Sequence, residues 1–143
     1  MDKLFFFSTD KTLLNTRLIH SFLKNTYWAK DLPYENLLKR IQNSLCLGMY
    51  DINKVQVGFA RVITDFESFA YLADVFIVPE HQKKGLSKEF MAFIMTYPDL
   101  QNLRRFMLAT QDAHGLYHQF GFSVLANPEK WMEKTDLTIY EKN

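Results

Sequence analysis

Cysteine is nearly absent from the sequence. Cys46 is the only one in 143 residues, so no disulfide can form within the chain. Its neighbours on both sides, Leu45 and Leu47, are apolar. This setting predicts a small buried hydrophobic side chain at position 46, with a reactive thiol as the alternative.

Long hydrophobic runs are also lacking. Near the N-terminus the apolar stretch over residues 4–7 has only four residues, too few for the hydrophobic region of a signal peptide. No run elsewhere approaches the length that a membrane-spanning helix needs. We therefore expect a cytoplasmic protein that does not associate with a membrane.

Neither sign of charge is in excess. The 17 Lys and Arg residues stand against 16 Asp and Glu residues, and the formal net charge is +1 at pH 7. Nucleic-acid binding calls for a concentrated basic face, so we expect no nucleic-acid partner. With 48% hydrophobic and 15% aromatic residues, the composition is that of a folded protein whose aromatic side chains fill its core. The length fits one domain over residues 1–143.

The hydrophobic pattern predicts alternating strands and helices. Leu14, Leu18 and Phe22 recur every fourth residue, as on one face of a helix, while the unbroken apolar run over 75–78 is typical of a strand covered on both faces. The predicted order is a strand over 3–8, helices over 11–27 and 33–43, strands over 45–51, 55–64 and 69–78, a helix over 84–97, a strand over 104–109, a helix over 112–120, and strands over 122–126 and 136–140. This order indicates an α/β fold with a mixed sheet.

The segment over 78–87 joins the buried strand to the next helix and is a candidate anion site. A helix N-terminus presents unpaired backbone N–H groups and a partial positive charge. If Gly85 and Ser87 let a ligand approach the backbone closely, a pyrophosphate fits there, with Lys83 and Lys84 adding positive charge. Taken alone, these residues favour the alternative of a surface loop with a solvated lysine pair.

Tyr117 is a candidate for proton transfer. It lies on the predicted helix over 112–120, at the carboxyl end of a strand, where open α/β sheets bind ligands. Its phenol could donate a proton to a leaving thiolate. The alternative is that Tyr117 only anchors its helix through a satisfied hydroxyl group.

Together the two segments resemble the GNAT acetyltransferase family, and the resemblance spans nearly the whole chain. The matching positions are Val78, Pro79, Gln82 and Gly85 in the loop, and Tyr117, Gly121 and Phe122 of a Y-x-x-x-G-F element. The segments over 69–78, 112–117 and 127–132 resemble a bacterial subgroup of small GNAT proteins. In one departure, Ser87 stands where the family usually has Gly or Ala.

The resemblance implies a GNAT-like acyltransferase fold, with a mixed, mostly antiparallel central sheet flanked by about four helices. It also implies direct acetyl transfer from acetyl-CoA, the cosubstrate, to a primary amine. Strands four and five would part to admit the pantetheine arm, with backbone groups of Phe76 and Val78 pairing with it. The residues expected to bind the cosubstrate are Phe76, Ile77, Val78, Gln82, Lys83, Lys84, Gly85, Leu86, Ser87, Asp112, His114 and Tyr117.

Two catalytic residues are expected. Tyr117 matches the position of the family's usual general acid. Asp74 is the candidate base, because a carboxylate on a buried strand needs a partner or a raised pKa, and the strand's period places it on the face of Phe76. The alternative is that Asp74 bonds nearby backbone or a basic residue. Asp65, Glu67 or a chain of water molecules could serve as base instead.

The four histidines, His20, His81, His114 and His118, have no metal-ligand spacing with a third ligand nearby, so we expect no metal. His114 could cap the following helix or contact the cosubstrate. Three aromatic residues, Tyr27, Trp28 and Tyr34, could line the acceptor pocket, the core or a dimer surface.

Several functional questions stay open at this stage. The acceptor could be a small amine, an amino acid, a polyamine or a peptide N-terminus, and a homodimer is neither indicated nor excluded. A second hypothesis is a catalytically inactive module that binds acyl-CoA or another protein on the same fold, because fold alone does not fix function.

Overall fold

A five-stranded sheet organises residues 4–142, the part of the chain that this computed structural model describes. The strands are β1 (Phe5–Ser8), β2 (Leu45–Asp51), β3 (Gln56–Thr64), β4 (Phe69–Ile77) and β5 (Arg105–Leu108). They lie side by side in chain order, antiparallel from β1 to β4, and β5 runs parallel to β4. The predicted mixed, mostly antiparallel sheet is therefore confirmed. Lys3, the first residue of the opening predicted strand, lies outside the described residues.

Four α-helices accompany the sheet in the described part of the chain, as predicted. They are α1 (Thr16–Leu23), α2 (Tyr34–Gln42), α3 (Leu86–Met95) and α4 (His114–His118), and short 3₁₀ turns lie between and after them. None of the helices in residues 4–142 is long and apolar enough to cross a membrane.

The helix predicted over 11–27 is broken into two pieces. Asp10 caps a 3₁₀ turn over Lys11–Leu13, its Oδ1 accepting from the Thr12 backbone N–H at 2.9 Å. Asn15 then caps a new helix, its Oδ1 accepting from the Leu18 backbone N–H at 3.0 Å. Two capping side chains five positions apart thus interrupt a continuous apolar pattern.

The core lies between the sheet and the apolar faces of the helices. Ile19 and Leu23 on α1, and Phe90 and Ile94 on α3, are buried in it. Cys46 is buried too, as predicted, and burial raises the pKa of its thiol to about 11. The thiol therefore stays protonated at neutral pH, which suits packing and not nucleophilic chemistry.

Strand β4 carries one extra residue opposite β3. Phe76 stands opposite Phe59 and Ala73 opposite Arg61, so Asp74 and Val75 together face Ala60 alone. Asp74 adopts a left-handed backbone conformation, with φ of 56°. This is a β-bulge, which bends a strand and re-aims the side chains that follow it.

Strands β4 and β5 part just before the bulge. Their pairing runs from Phe69 opposite Arg105 to Leu72 opposite Leu108, and β4 then continues over 73–77 without β5 beside it. The side of β4 that faces away from β3 is therefore open there. This is the separation of strands four and five that the family resemblance implies.

The prediction of strands over 122–126 and 136–140 is wrong. Residues 122–126 are irregular, and the last element is a 3₁₀ turn at Ile139–Lys142. Contacts other than strand pairing hold both stretches. Phe122 packs edge-on against Phe106 at 5.5 Å, Asp136 caps the Thr138 backbone N–H, and the Tyr140 hydroxyl accepts from Arg40 at 2.9 Å. An alternating pattern makes a strand only where a partner strand lies beside it.

Candidate active site

Two cavities occupy the gap between β4 and β5. The larger, of about 560 Å³, extends towards Tyr27 and Tyr71, and the smaller, of about 280 Å³, extends towards the start of α3. Trp28, Val75, Ala113 and Tyr117 line both of them. The two cavities therefore meet beside Tyr117.

The loop between β4 and α3 closes the smaller cavity. The Gln82 side-chain amide donates to the Ile77 carbonyl at 2.8 Å and folds the loop back onto the end of β4. Lys83 and Gly85 both have positive φ, 62° and 76°. These left-handed positions turn the chain into the first residue of α3, Leu86.

The start of α3 is free of side-chain capping within the described residues. Gly85 occupies the N-cap position and offers no side-chain acceptor to the first backbone N–H groups. Lys83, Lys84 and Ser87 are exposed around this end, and Leu86 is buried, so only its backbone is available. Unpaired N–H groups beside two lysines suit an anionic group.

Tyr117 is partly buried where the cavities meet. Burial raises the pKa of its hydroxyl above the ordinary value, and the negative charge of nearby Asp112 adds to this. The hydroxyl is therefore protonated at neutral pH and able to donate a proton.

Asp112 and His114 line two different cavities that share Tyr117. Asp112 lines the larger cavity beside Tyr117. His114 begins α4 and lines a different groove, of about 710 Å³, which runs along β5 and the residues after α4. Asp112 also acts on Tyr117 in the cleft, because its negative charge helps to raise the pKa of the Tyr117 hydroxyl.

Asp74 lies at the centre of a buried polar cluster. Its Oδ2 accepts from Arg61 Nε at 2.8 Å and from an Arg40 guanidinium nitrogen at 3.2 Å, and its Oδ1 accepts from the Trp28 indole at 3.2 Å. The side chain is only 2% exposed. These contacts are the structural alternative that the sequence left open, a bond to basic residues. Both oxygens of the carboxylate are therefore engaged in hydrogen bonds, two of its partners being cationic guanidinium groups.

Sequence reasoning missed Arg40 and Arg61. Arg61 stands within the apolar strand over 56–64, and a buried arginine needs an anionic partner, so its position carried a usable signal. Arg40 lies on α2, 34 positions from Asp74, and nothing local indicated the contact. The missed residues are the ones that define what Asp74 does in the fold.

Backbone geometry corrects the expected contacts of Phe76 and Val78. The Val78 backbone N–H donates to Val57 on β3 at 2.8 Å, and its carbonyl accepts from the His81 N–H at 2.9 Å. In an antiparallel ladder, hydrogen-bonded pairs alternate with pairs that are not hydrogen-bonded. Phe76 lies two residues before Val78, so its backbone N–H and carbonyl also point towards β3. The backbone groups of Val75 and Ile77 face the gap instead. The prediction that Phe76 and Val78 pair with a ligand through their backbone is therefore wrong.

The remaining candidates fall at different distances from the cleft. Tyr27 and Trp28 line the larger cavity, whereas the Tyr34 hydroxyl bonds Thr16 at 2.7 Å, away from the cleft. The Asp65 carboxylate accepts hydrogen bonds from the Ser68 hydroxyl and from three backbone N–H groups in the turn before β4. These bonds hold the pKa of the carboxyl group below its usual range. Within residues 4–142 no three His, Cys, Asp or Glu side chains come together as a metal site.

A sheet whose fourth and fifth strands part beside a helix start, with a tyrosine at the opening, is the arrangement that the GNAT resemblance implies. The comparisons with known proteins agree. The model of the acetyltransferase (GNAT) family matches residues 13–122. A protein of Gibberella zeae that carries an acetyltransferase name is 34% identical over 130 residues, which cover 77% of this chain and 73% of that protein.

Solved structures show the same fold. A crystal structure from Xanthomonas campestris pv. campestris, assigned to the GNAT family, has a TM-score of 0.94 at 46% identity and covers 99% of this chain and 100% of that one. The spermidine N-acetyltransferase of Vibrio cholerae, in complex with CoA and spermine, has a TM-score of 0.65 at 18% identity over 84% of this chain and 81% of that one. This chain belongs to the GNAT acetyltransferase family.

Proposed function

We propose that the protein transfers the acetyl group of acetyl-CoA directly to a primary amine, with Tyr117 as the general acid. The observation that carries the proposal is the position of Tyr117, on the wall that the two cavities share. A thioester in one cavity and an amine in the other would meet beside its hydroxyl. Family membership does not favour the alternative of an inactive binding module.

The smaller cavity and the adjoining loop would hold acetyl-CoA. The backbone groups of Val75 and the backbone N–H of Ile77 are directed into the gap, where they can pair with the amides of the pantetheine arm, while the Ile77 carbonyl accepts from Gln82. The pyrophosphate would lie on the backbone N–H groups at the start of α3, with Lys83 and Lys84 beside it. Ser87 is small and lines this cavity, so its hydroxyl can contact a phosphate oxygen.

The chemistry then needs one bond to form and one to break. The amine nitrogen attacks the acetyl carbonyl carbon, and the carbon–sulfur bond breaks. Tyr117 donates its phenolic proton to the departing thiolate. The amine must lose a proton before or during attack, and Asp74 as the base stays a hypothesis. Its two guanidinium partners support a positioning role, with a water molecule as the proton acceptor.

Binding of acetyl-CoA provides the first test. Acetyl-CoA at about 100 times its dissociation constant should stabilise the protein by roughly 2.7 kcal/mol, a visible rise in melting temperature. ATP, which lacks the pantetheine arm, is the control. Release of free CoA thiol on adding primary amines would then measure transfer. No shift at millimolar acetyl-CoA would overturn the proposal.

A further inference from the structure

Aromatic side chains contribute to the wall of the larger cavity. Tyr27, Trp28 and Tyr71 line it, and Tyr117 lies where it meets the smaller cavity. The rings of Tyr27 and Trp28 meet edge to face, with centroids 5.1 Å apart. A pocket with aromatic walls takes up apolar groups and cations, both of which gain from contact with a ring.

The charged groups at this cavity are acidic. Asp74 and Asp112 line it, and none of the described lining residues is Lys, Arg or His. The carboxylate of Asp74 forms ion pairs with Arg40 and Arg61. Asp112 is exposed and has no ion pair within the described part of the chain, so its carboxylate is available to a cation that enters the cavity.

The two arginines behind the cavity are already engaged. Arg61 donates to Asp74 and to the Ser44 hydroxyl at 3.0 Å. Arg40 donates to Asp74 and to the Tyr140 hydroxyl. Neither guanidinium is therefore directed at the cavity to receive an anionic group. A carboxylate or phosphate entering it would lose part of its hydration and gain no cationic partner among the lining residues.

We infer that this cavity is the acceptor pocket for a primary amine with an aromatic or aliphatic body and no anionic group, and that Trp28 and Tyr27 set this preference. The inference rests on the proposed function. It narrows the acceptors left open by the sequence, because free amino acids carry a carboxylate and are disfavoured. The Trp28 indole is held in place by Asp74, so this wall is preformed.

Matched pairs of acceptors test the inference. 2-Phenylethylamine and phenylalanine differ only by a carboxylate, as do cadaverine and lysine. With acetyl-CoA as donor and free CoA thiol as the readout, each amine should exceed its amino acid in kcat/KM by about tenfold or more, since burying an unpaired carboxylate is costly. Amino acids that react as well as the amines would overturn the inference.

Substitutions at Tyr27 and Trp28 test whether these two rings cause the preference for amines without an anionic group. Tyr27→Ala and Trp28→Leu should each raise the KM for 2-phenylethylamine by roughly fivefold or more, as expected for losing a ring contact. Trp131→Leu is the control, because Trp131 is 41% exposed against 44% for Trp28 and lies outside the cavity. Tyr27 is 65% exposed, so its variant should fold even if Trp28→Leu does not.

The outcomes separate this inference from the proposed function. If acetyl-CoA gives no thermal shift, the proposed function fails and this inference fails with it. If acetyl-CoA binds but the amino acids are preferred, or none of the four acceptors reacts, only the inference on the acceptor fails. An equal rise in KM for Tyr27→Ala and Trp131→Leu would also remove the aromatic wall as its cause.

Discussion

The indole N–H of Trp28 donates to Oδ1 of Asp74 over 3.2 Å, joining residues 46 positions apart. Trp28 lines both cavities of the cleft, and Asp74 is a buried carboxylate on the bulge of β4. Through this bond, the arginine cluster around Asp74 fixes a wall of the site. Asp74 is thus a positioning residue in the geometry, whatever its part in proton transfer.

The substitution Asp74→Asn should show whether Asp74 positions the wall of the site or acts as the general base. The neutral amide would leave Arg40 and Arg61 without a charge partner, and breaking a buried ion pair costs about 3–5 kcal/mol of unfolding free energy. Denaturant unfolding measures this loss, with the exposed Asp99→Asn as the control. For a positioning role, the KM for the amine rises while the shape of the pH profile of kcat/KM stays. Loss of the acidic limb of that profile would establish Asp74 as the base.

Replacing Tyr117 with Phe should lower kcat by about 10²–10⁴-fold, the usual contribution of a general acid. The thermal shift with acetyl-CoA should persist, because the ring is retained. Tyr34→Phe is the matched control, since that hydroxyl bonds Thr16 away from the cleft. Wild-type kcat in the Tyr117 variant would rule out its role as the acid.

The proposed role of Tyr117 also predicts how activity of the unmodified protein depends on pH. Burial and Asp112 raise the pKa of Tyr117 above its ordinary value of 10.0. A general acid works in its protonated form, so activity should be retained through neutral pH and fall as pH rises through this raised pKa. The Tyr117→Phe variant should lack that alkaline limb. An alkaline fall that persists in the variant would belong to another group.

At Ser87, substitution should move stability and binding in opposite directions. Ser87→Asp places a negative charge in the first turn of α3, which stabilises a helix by about 0.3–1 kcal/mol. The same charge would repel a pyrophosphate, so the thermal shift with acetyl-CoA should shrink although the free protein melts higher. Ser87→Ala is the control for size and should bind nearly normally. Equal binding by both variants would place the pyrophosphate elsewhere.

At Gly48, a methyl group should be poorly tolerated. A Cβ there would collide with the ring and hydroxyl of the buried Tyr50, which folds over this glycine. Gly48→Ala should therefore cost about 1–3 kcal/mol of unfolding free energy. Gly115→Ala, where a Cβ has open space on α4, is the control and should be neutral or slightly stabilising. An undiminished melting temperature for Gly48→Ala would contradict the packing described.

Sequence reasoning succeeded where local patterns decide the structure. The strand predicted over 45–51 and the helix predicted over 33–43 agree within one residue with β2 and α2, because hydrophobic period and turn signals lie inside those segments. It failed where a distant partner decides. The stretch over 136–140 alternates like a strand, yet Tyr140 bonds Arg40, 100 positions away. Likewise, nothing local indicated that Arg40, 34 positions away, is an ion-pair partner of Asp74.

The bulge in β4 has a consequence for which amides the cleft contains. If the pairing of Leu72 with Val62 continued without the extra residue, Val57 would face Ile77 and not Val78. The backbone amides of Val75 and Ile77 would then form hydrogen bonds with β3, and those of Phe76 and Val78 would point into the cleft. The extra residue thus reverses the parity of the strand halfway along it. Deleting one residue at the bulge would exchange the backbone groups that face β3 with those that face the cleft. Every amino acid in the loop between β4 and α3 would stay unchanged.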